Sequence, residues 1–219
     1  MVTTRTGGLR REYLAFCALI LMAIALAALA PPDNEQYRID PASTSMTVHV
    51  GRSGLFGFAG HDHEVAVPAV QGSVTLNRAD LGQSSVRLEF DAAALKVTGK
   101  GEPAGDVPEV QRVMVSERVL DVQRHPKITF QSKSVSVADR AADRMTLRID
   151  GQLTLRGVTR PVSVPVSLQL AADRLTARGT VEVRQTAFGI KPVSAGAGTV
   201  KVKDEVEVVF SVTAQRQKG

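Results

Sequence analysis

From Met145 to Leu170 apolar and polar residues alternate almost without interruption, and the run is cut only by Asp150-Gly151 and by Arg156-Gly157-Val158-Thr159-Arg160-Pro161. This reads as strand, turn, strand, turn, strand. A period of two over this length is what half-buried antiparallel strands require, because successive side chains point to opposite faces of a sheet. Met145, Leu147 and Ile149 share one parity, followed by Leu153 and Leu155, and then by Val162, Val164, Val166, Leu168 and Leu170. Each strand thus has an apolar wall and a wet wall, and the apolar walls must close onto one another.

The same pattern begins at Tyr37 and recurs to Gln215. Met46, Val48 and Val50 alternate with Thr47 and His49, and Val86, Leu88 and Phe90 alternate with Ser85, Arg87 and Glu89. Later segments carry Ile128 and Phe130, Val135 and Val137, Val181 and Val183, and finally Val200 through Val212. Roughly eight to ten such strands predict an all-β domain that closes into a barrel or folds into a sandwich. One stretch departs from the pattern. Gly99 to Asp106 is a polar Gly/Pro loop, after which Val110, Val113, Met114 and Leu120 fall at helical spacing, with Asp106 and Glu109 near the start. A short helix is predicted there, lying across a strand layer or plugging one end of a barrel. Pro165 interrupts a good strand on its polar parity, which predicts an edge or bulge where the missing N–H costs no ladder bond.

The first thirty residues are set apart from this pattern. Arg5, Arg10 and Arg11 precede an uncharged apolar run from Tyr13 to Ala30, the signature of a secretory leader. Cleavage is expected after Ala27 or Ala28; the alternative is an uncleaved N-terminal anchor, since the run just reaches bilayer-spanning length. Either way the domain is expected to be exported, to the periplasm, with residues 31–36 as a linker and 37–217 as one barrel domain. The single cysteine, Cys17, lies inside the leader, so the mature chain has no thiolate site and no disulfide. The formal charge of +5 falls to +3 when the three Arg and one Glu of the leader are removed. With no dense basic block, few aromatics and no Trp, no nucleic-acid partner is expected.

Catalytic motifs are hard to find. Gly51-Arg52-Ser53-Gly54 is followed by Leu55 where a nucleophile elbow needs glycine, and the chain has no P-loop, no H-E-x-x-H and no dinucleotide fingerprint. No enzymatic activity is expected. The polar cluster Gly60-His61-Asp62-His63-Glu64 closes a Gly/Phe-rich loop. In an extended segment His61 and His63 share a face, a spacing that can place two imidazoles on one zinc or copper ion; the alternative is a polar group at a barrel mouth. A metal would need a further ligand, such as His49 or His125. The apolar wall is the other candidate: its Val, Leu, Ile and Met side chains are modest in size, and whether they pack solid or enclose a slender ligand stays open on composition alone.

Four segments together carry a resemblance. Tyr37-Arg38-Ile39-Asp40-Pro41, His125-Pro126-Lys127-Ile128-Thr129-Phe130, Gly151 to Val162, and Arg184-Gln185-Thr186-Ala187-Phe188-Gly189-Ile190 occur in the order of the YceI-like family of exported, lipocalin-like barrels, which the chain resembles. The resemblance implies a single antiparallel barrel of about eight strands with a short helix near one mouth. It also implies an apolar tunnel for one long-chain isoprenoid, isoprenoid quinone or similar amphiphile, the only cofactor-like ligand expected. Phe56, Phe58, Met114, Leu120, Phe130 and Phe188 are the expected tunnel or mouth contacts, with His61 and His63 near a polar head. Two other readings accompany this one: a metal-binding stress or redox protein using His61 and His63, and an interaction barrel using the strand near Pro165. A dimer and exchange with inner-membrane proteins are compatible with the carrier reading.

Overall fold

A computed structural model describes residues 34–53, 62–141, 144–195 and 200–217. The strands are β1 (Asn34–Ile39), β2 (Ser45–Ser53), β3 (His63–Ala66), β4 (Gln71–Asn77), β5 (Ser85–Asp91), β6 (Lys96–Val97), β7 (Lys127–Ala141), β8 (Arg144–Leu155), β9 (Val158–Leu170), β10 (Arg174–Arg184), β11 (Ser194–Ala195) and β12 (Val200–Arg216); α1 spans Val107–Val115. Eight strands close an antiparallel barrel in the order β1, β4, β5, β7, β8, β9, β10, β12. The circuit is completed where Tyr37 and Ile39 of β1 pair with Arg216 and Ala214 of β12.

β11 pairs with the start of β12, and three further strands continue the first three staves beyond a kink. β2 follows β1 along the same edge of β12, β3 pairs with β2, and β6 pairs with β3. Two of the kinks have a local cause. The Asp40 carboxylate accepts the Ala42 N–H at 3.1 Å and the Asp91 carboxylate accepts the Ala93 N–H at 3.0 Å, so each offers the backbone a turn in place of the ladder. α1 lies against β6. Gln111 donates from its amide to the Leu95 carbonyl at 3.0 Å and accepts the Val97 N–H at 2.8 Å, supplying the edge of β6 with the bonds a neighbouring strand would make. Val107, Val110 and Met114 turn the apolar side of the helix to the core.

Along β8 and β9 the expected alternation sets the register. Met145 faces Leu168, Leu147 faces Val166 and Ile149 faces Val164, and these six form the inward wall. Asp150-Gly151, expected as a turn, lies inside the continuous strand β8. A side chain at Gly151 would stand 2.6 Å from the Phe130 ring. The glycine therefore makes room for an aromatic ring beside an irregular register between Ser132 and Ser134 of β7. Arg156-Gly157 is a true two-residue hairpin with φ of 51° and 72°, the left-handed pair that matches strand twist. The β9–β10 ladder runs from Leu170 to Ser167 and stops, so Pro165, just beyond, removes no bond from it.

Candidate functional site

The inward wall does not pack solid. It encloses a cavity of about 310 Å³, at the lower end of the range for ligand sites. The space runs from Leu81, Val135 and Leu147 at one end to Leu155, Met114 and Val206 at the other. The stretch of β8 from Leu147 to Leu155 alone corresponds to about 20 Å along the barrel axis at ordinary strand rise and tilt. Ser84 and Gln185 are the polar residues in its lining. Both are already engaged: the Ser84 hydroxyl accepts the Asn77 N–H at 3.0 Å and the Gln185 amide donates to the Lys203 carbonyl at 2.8 Å. None of the described lining residues is an acid, a base or a histidine. What the wall offers an apolar chain is removal from water.

The two ends of the barrel differ. At the end where β4 passes to β5 and β9 to β10, Glu35 is buried and fully engaged. Tyr37 donates its hydroxyl to Glu35 Oε2 at 2.6 Å, Arg78 Nε donates to Oε1 at 2.8 Å, and Arg216 lies 3.2 Å from the same oxygen. The hydrogen bond from Arg78 holds the Glu35 carboxyl below the usual carboxylate range, and burial pushes the Tyr37 phenol up. This is termed the closed end; a second pocket there is lined by Arg78, Leu81, Arg140 and Met145.

At the opposite end, the mouth, α1, the β8–β9 hairpin and the turn Gln185–Phe188 meet. Arg156 donates to the Gly189 carbonyl and to the Glu117 carbonyl, both at 2.7 Å, tying the hairpin to the closing turn and to the segment after α1. His63 stands opposite Val50 in the β2–β3 ladder, two residues before Val65. Val50 and Val65 both line the cavity, so His63 extends the inner face at the rim. Its Nδ1 lies 3.1 Å from Glu102 Oε2, and the Glu102 side chain is only 1% exposed.

Of the residues expected from sequence, Met114, Leu120 and Phe130 stand on the cavity wall. Leu120 lies past the end of α1, where its N–H donates to the Met114 carbonyl at 3.0 Å. Phe188 is buried in a separate cluster with Val183 and Ile190, beneath the turn and not on the described wall. Phe56, Phe58 and His61 lie outside the described residues. Among the described residues no group of three or more His, Cys, Asp or Glu side chains is placed to hold a metal ion. His49 pairs across the sheet with Glu64 on the face opposite to Val50 and His63, and the His125 ring sits under Gly157. No local pattern marks Glu102; its sole signal in the sequence is an acid set between Gly101 and Pro103.

A closed eight-stranded barrel around an apolar space belongs to a class of fold with room for one small or slender ligand. The chain belongs to the YceI-like family, whose domain matches residues 37–214. It is 34% identical over 104 residues to a UPF0312 protein of Pseudomonas aeruginosa, a match covering 45% of this chain and 49% of that protein. The chain thus spans about half the length of the Pseudomonas relatives it matches. A UPF0312 protein of Pectobacterium carotovorum is 24% identical over 223 residues, covering 96% of this chain and all of that protein. Among solved structures, Burkholderia cenocepacia BcnA aligns with a TM-score of 0.61 at 20% identity, over 80% of this chain and 98% of that one. A polyisoprenoid binding domain from Saccharophagus degradans aligns with a TM-score of 0.59 at 12% identity, over 83% and 98%.

Proposed function

We propose that this protein is an exported, non-enzymatic carrier that shelters the tail of one long-chain isoprenoid, isoprenoid quinone or similar amphiphile inside the barrel. The apolar cavity carries this reading. Its wall is continuous from the closed end to the mouth, and its two polar lining groups are already hydrogen-bonded, so an unbranched or methyl-branched chain suits it better than a polar molecule. Burying about 300 Å² of apolar surface is worth about 7 kcal/mol before ordering costs, enough for useful affinity. The likeness to a polyisoprenoid binding domain supports the ligand class. The leader supports export, and lipid handed between membranes and this carrier would pass through the mouth.

The test is mass spectrometry of an organic extract from the full chain purified natively from its own envelope, beside the variant Met114→Glu. One long-chain isoprenoid or quinone per chain is expected in the parent. The variant should lose it while keeping a cooperative thermal transition, because Met114 is only half-buried on a surface helix. An extract holding nothing or only bulk phospholipid overturns the carrier reading.

A further inference from the structure

We propose that Glu102 and His63 form a head-group site at the mouth, selective for a neutral amphiphile whose head donates a hydrogen bond, such as a terpenoid alcohol. This rests on the lipid-carrier reading and adds which head the mouth accepts. The carrying observation is an incomplete polar site. Glu102 is almost wholly shielded from solvent, yet neither carboxylate oxygen has a hydrogen-bond partner among the described residues, and the same is true of His63 Nδ1. The two groups approach to 3.1 Å without aligning a hydrogen bond. A buried carboxyl group with no aligned hydrogen bond is costly in the free protein, and a donor arriving with a ligand recovers that cost.

The backbone is shaped to place Glu102 there. Gly99 and Gly101 take left-handed φ values of 74° and 79°, a geometry that glycine adopts without strain, and the Glu102 N–H donates to the Gly99 carbonyl at 3.2 Å. This folds the loop between β6 and α1 back toward His63. Lys100 does not reach the site, because its Nζ is directed to Glu64 Oε2 at 3.3 Å, which leaves the His63 imidazole as the group facing Glu102. Glu102 is therefore an acceptor waiting for a donor, next to an inner-face imidazole that continues the wall of Val65.

Head-group chemistry follows from this. A hydroxyl brings an O–H to the open carboxylate oxygens without adding charge. An ether brings no donor. A phosphate or diphosphate adds negative charge beside a carboxylate in a poorly solvated place, where like charges repel most strongly. The same logic ranks a reduced quinol, with two hydroxyls, above its quinone, which only accepts.

The experiment compares binding of geranylgeraniol, its methyl ether and its diphosphate to the full chain stripped of lipid, by competition against a fluorescent fatty probe. The parent should prefer the alcohol to the ether by about tenfold, the scale of a hydrogen bond to a charged acceptor, and should bind the diphosphate least. In Glu102→Leu, which removes a buried charge and so should fold at least as well, the alcohol and ether should bind within threefold of each other, with ether affinity retained. In Glu102→Gln the penalty against the diphosphate should shrink. If alcohol and ether bind equally well to the parent, or if Glu102→Leu keeps the preference, the head-group site is overturned while the tunnel stands. If neither compound binds the parent or the variants, the tunnel reading itself fails and this one falls with it.

Discussion

The closed end and the mouth are built from the same strands but on opposite terms. At the closed end the ladder between β1 and β12 is intact, Glu35 has three donors around it, and Met145 is 2% exposed. At the mouth the β9–β10 ladder has stopped, three staves have kinked, and one glutamine stands in for a neighbouring strand. Glu102 and His63 face each other there at 3.1 Å but keep buried atoms without a hydrogen bond. An interrupted ladder and buried groups without hydrogen bonds add nothing to stability, and proteins concentrate them where function needs them. The comparison assigns stability to one end of the barrel and ligand exchange to the other.

Unequal cost of similar truncations at the two ends is the strongest way to break that assignment. Met145→Ala removes a fully buried side chain that cannot be replaced by water, and should cost about 2–5 kcal/mol in urea unfolding. Met114→Ala, on the half-buried helix at the mouth, should cost less than about 1 kcal/mol, while weakening lipid binding more than Met145→Ala does per folded molecule. Equal losses of stability would show that the mouth is as much part of the folding core as the closed end.

Much of this architecture was legible in the chain, and the failures have physical reasons. The inward parity from Met145 to Leu170 gave the walls because a half-buried strand has no other way to sort its side chains. The same parity, read from Val67 back through Val65 to His63, places the histidine on the inner face. Asp150-Gly151 misled because glycine beside aspartate normally marks a turn, whereas here the need is set by the Phe130 ring on the adjacent strand, a contact no local window contains. Spacing alone groups Leu120 with the helix, although the helix ends at Val115 and the residue reaches the cavity through the following turn. The burial of Glu102 was hidden for the same reason: it depends on a loop meeting a strand some forty residues earlier. Local patterns report local geometry, and the polar half of the site is a product of closure.

A second test sharpens the contrast by disturbing the mouth alone. Gly157 has a φ of 72°, and a side chain there would stand 2.6 Å from the His125 ring. Gly157→Ala therefore combines backbone strain with a clash and should cost about 1–3 kcal/mol. The hairpin it distorts carries Arg156, whose two bonds tie together the turn, the closing segment and the chain after α1. Hydrogen exchange should show faster amides in β8 and β9 near Leu155 and Val158, around Gly189, and in α1, with protection at Tyr37 and Ala214 unchanged. Acceleration spread evenly over both ends would mean that the barrel opens as one unit.

The smallest expected effect is electrostatic and belongs to the closed end. Arg78 holds the Glu35 carboxyl below its ordinary value of 4.5, so the unfolded chain takes up a proton there at a higher pH than the folded one. Stability from this group is then fully present above the ordinary value and is lost as pH falls through the lowered folded value. Because Arg78 is 38% exposed, solvent screens the pair, and the contribution should be on the order of 1 kcal/mol. Glu35→Gln should accordingly unfold at lower urea than the parent at neutral pH, and the two midpoints should converge on acidification. Lipid affinity at neutral pH should be the same in both, since Glu35 lies at the far end of the cavity from the mouth. A gap that widened in acid would reverse the assigned direction, and a loss of lipid affinity in Glu35→Gln would show that the closed end is coupled to the ligand and not merely to the fold.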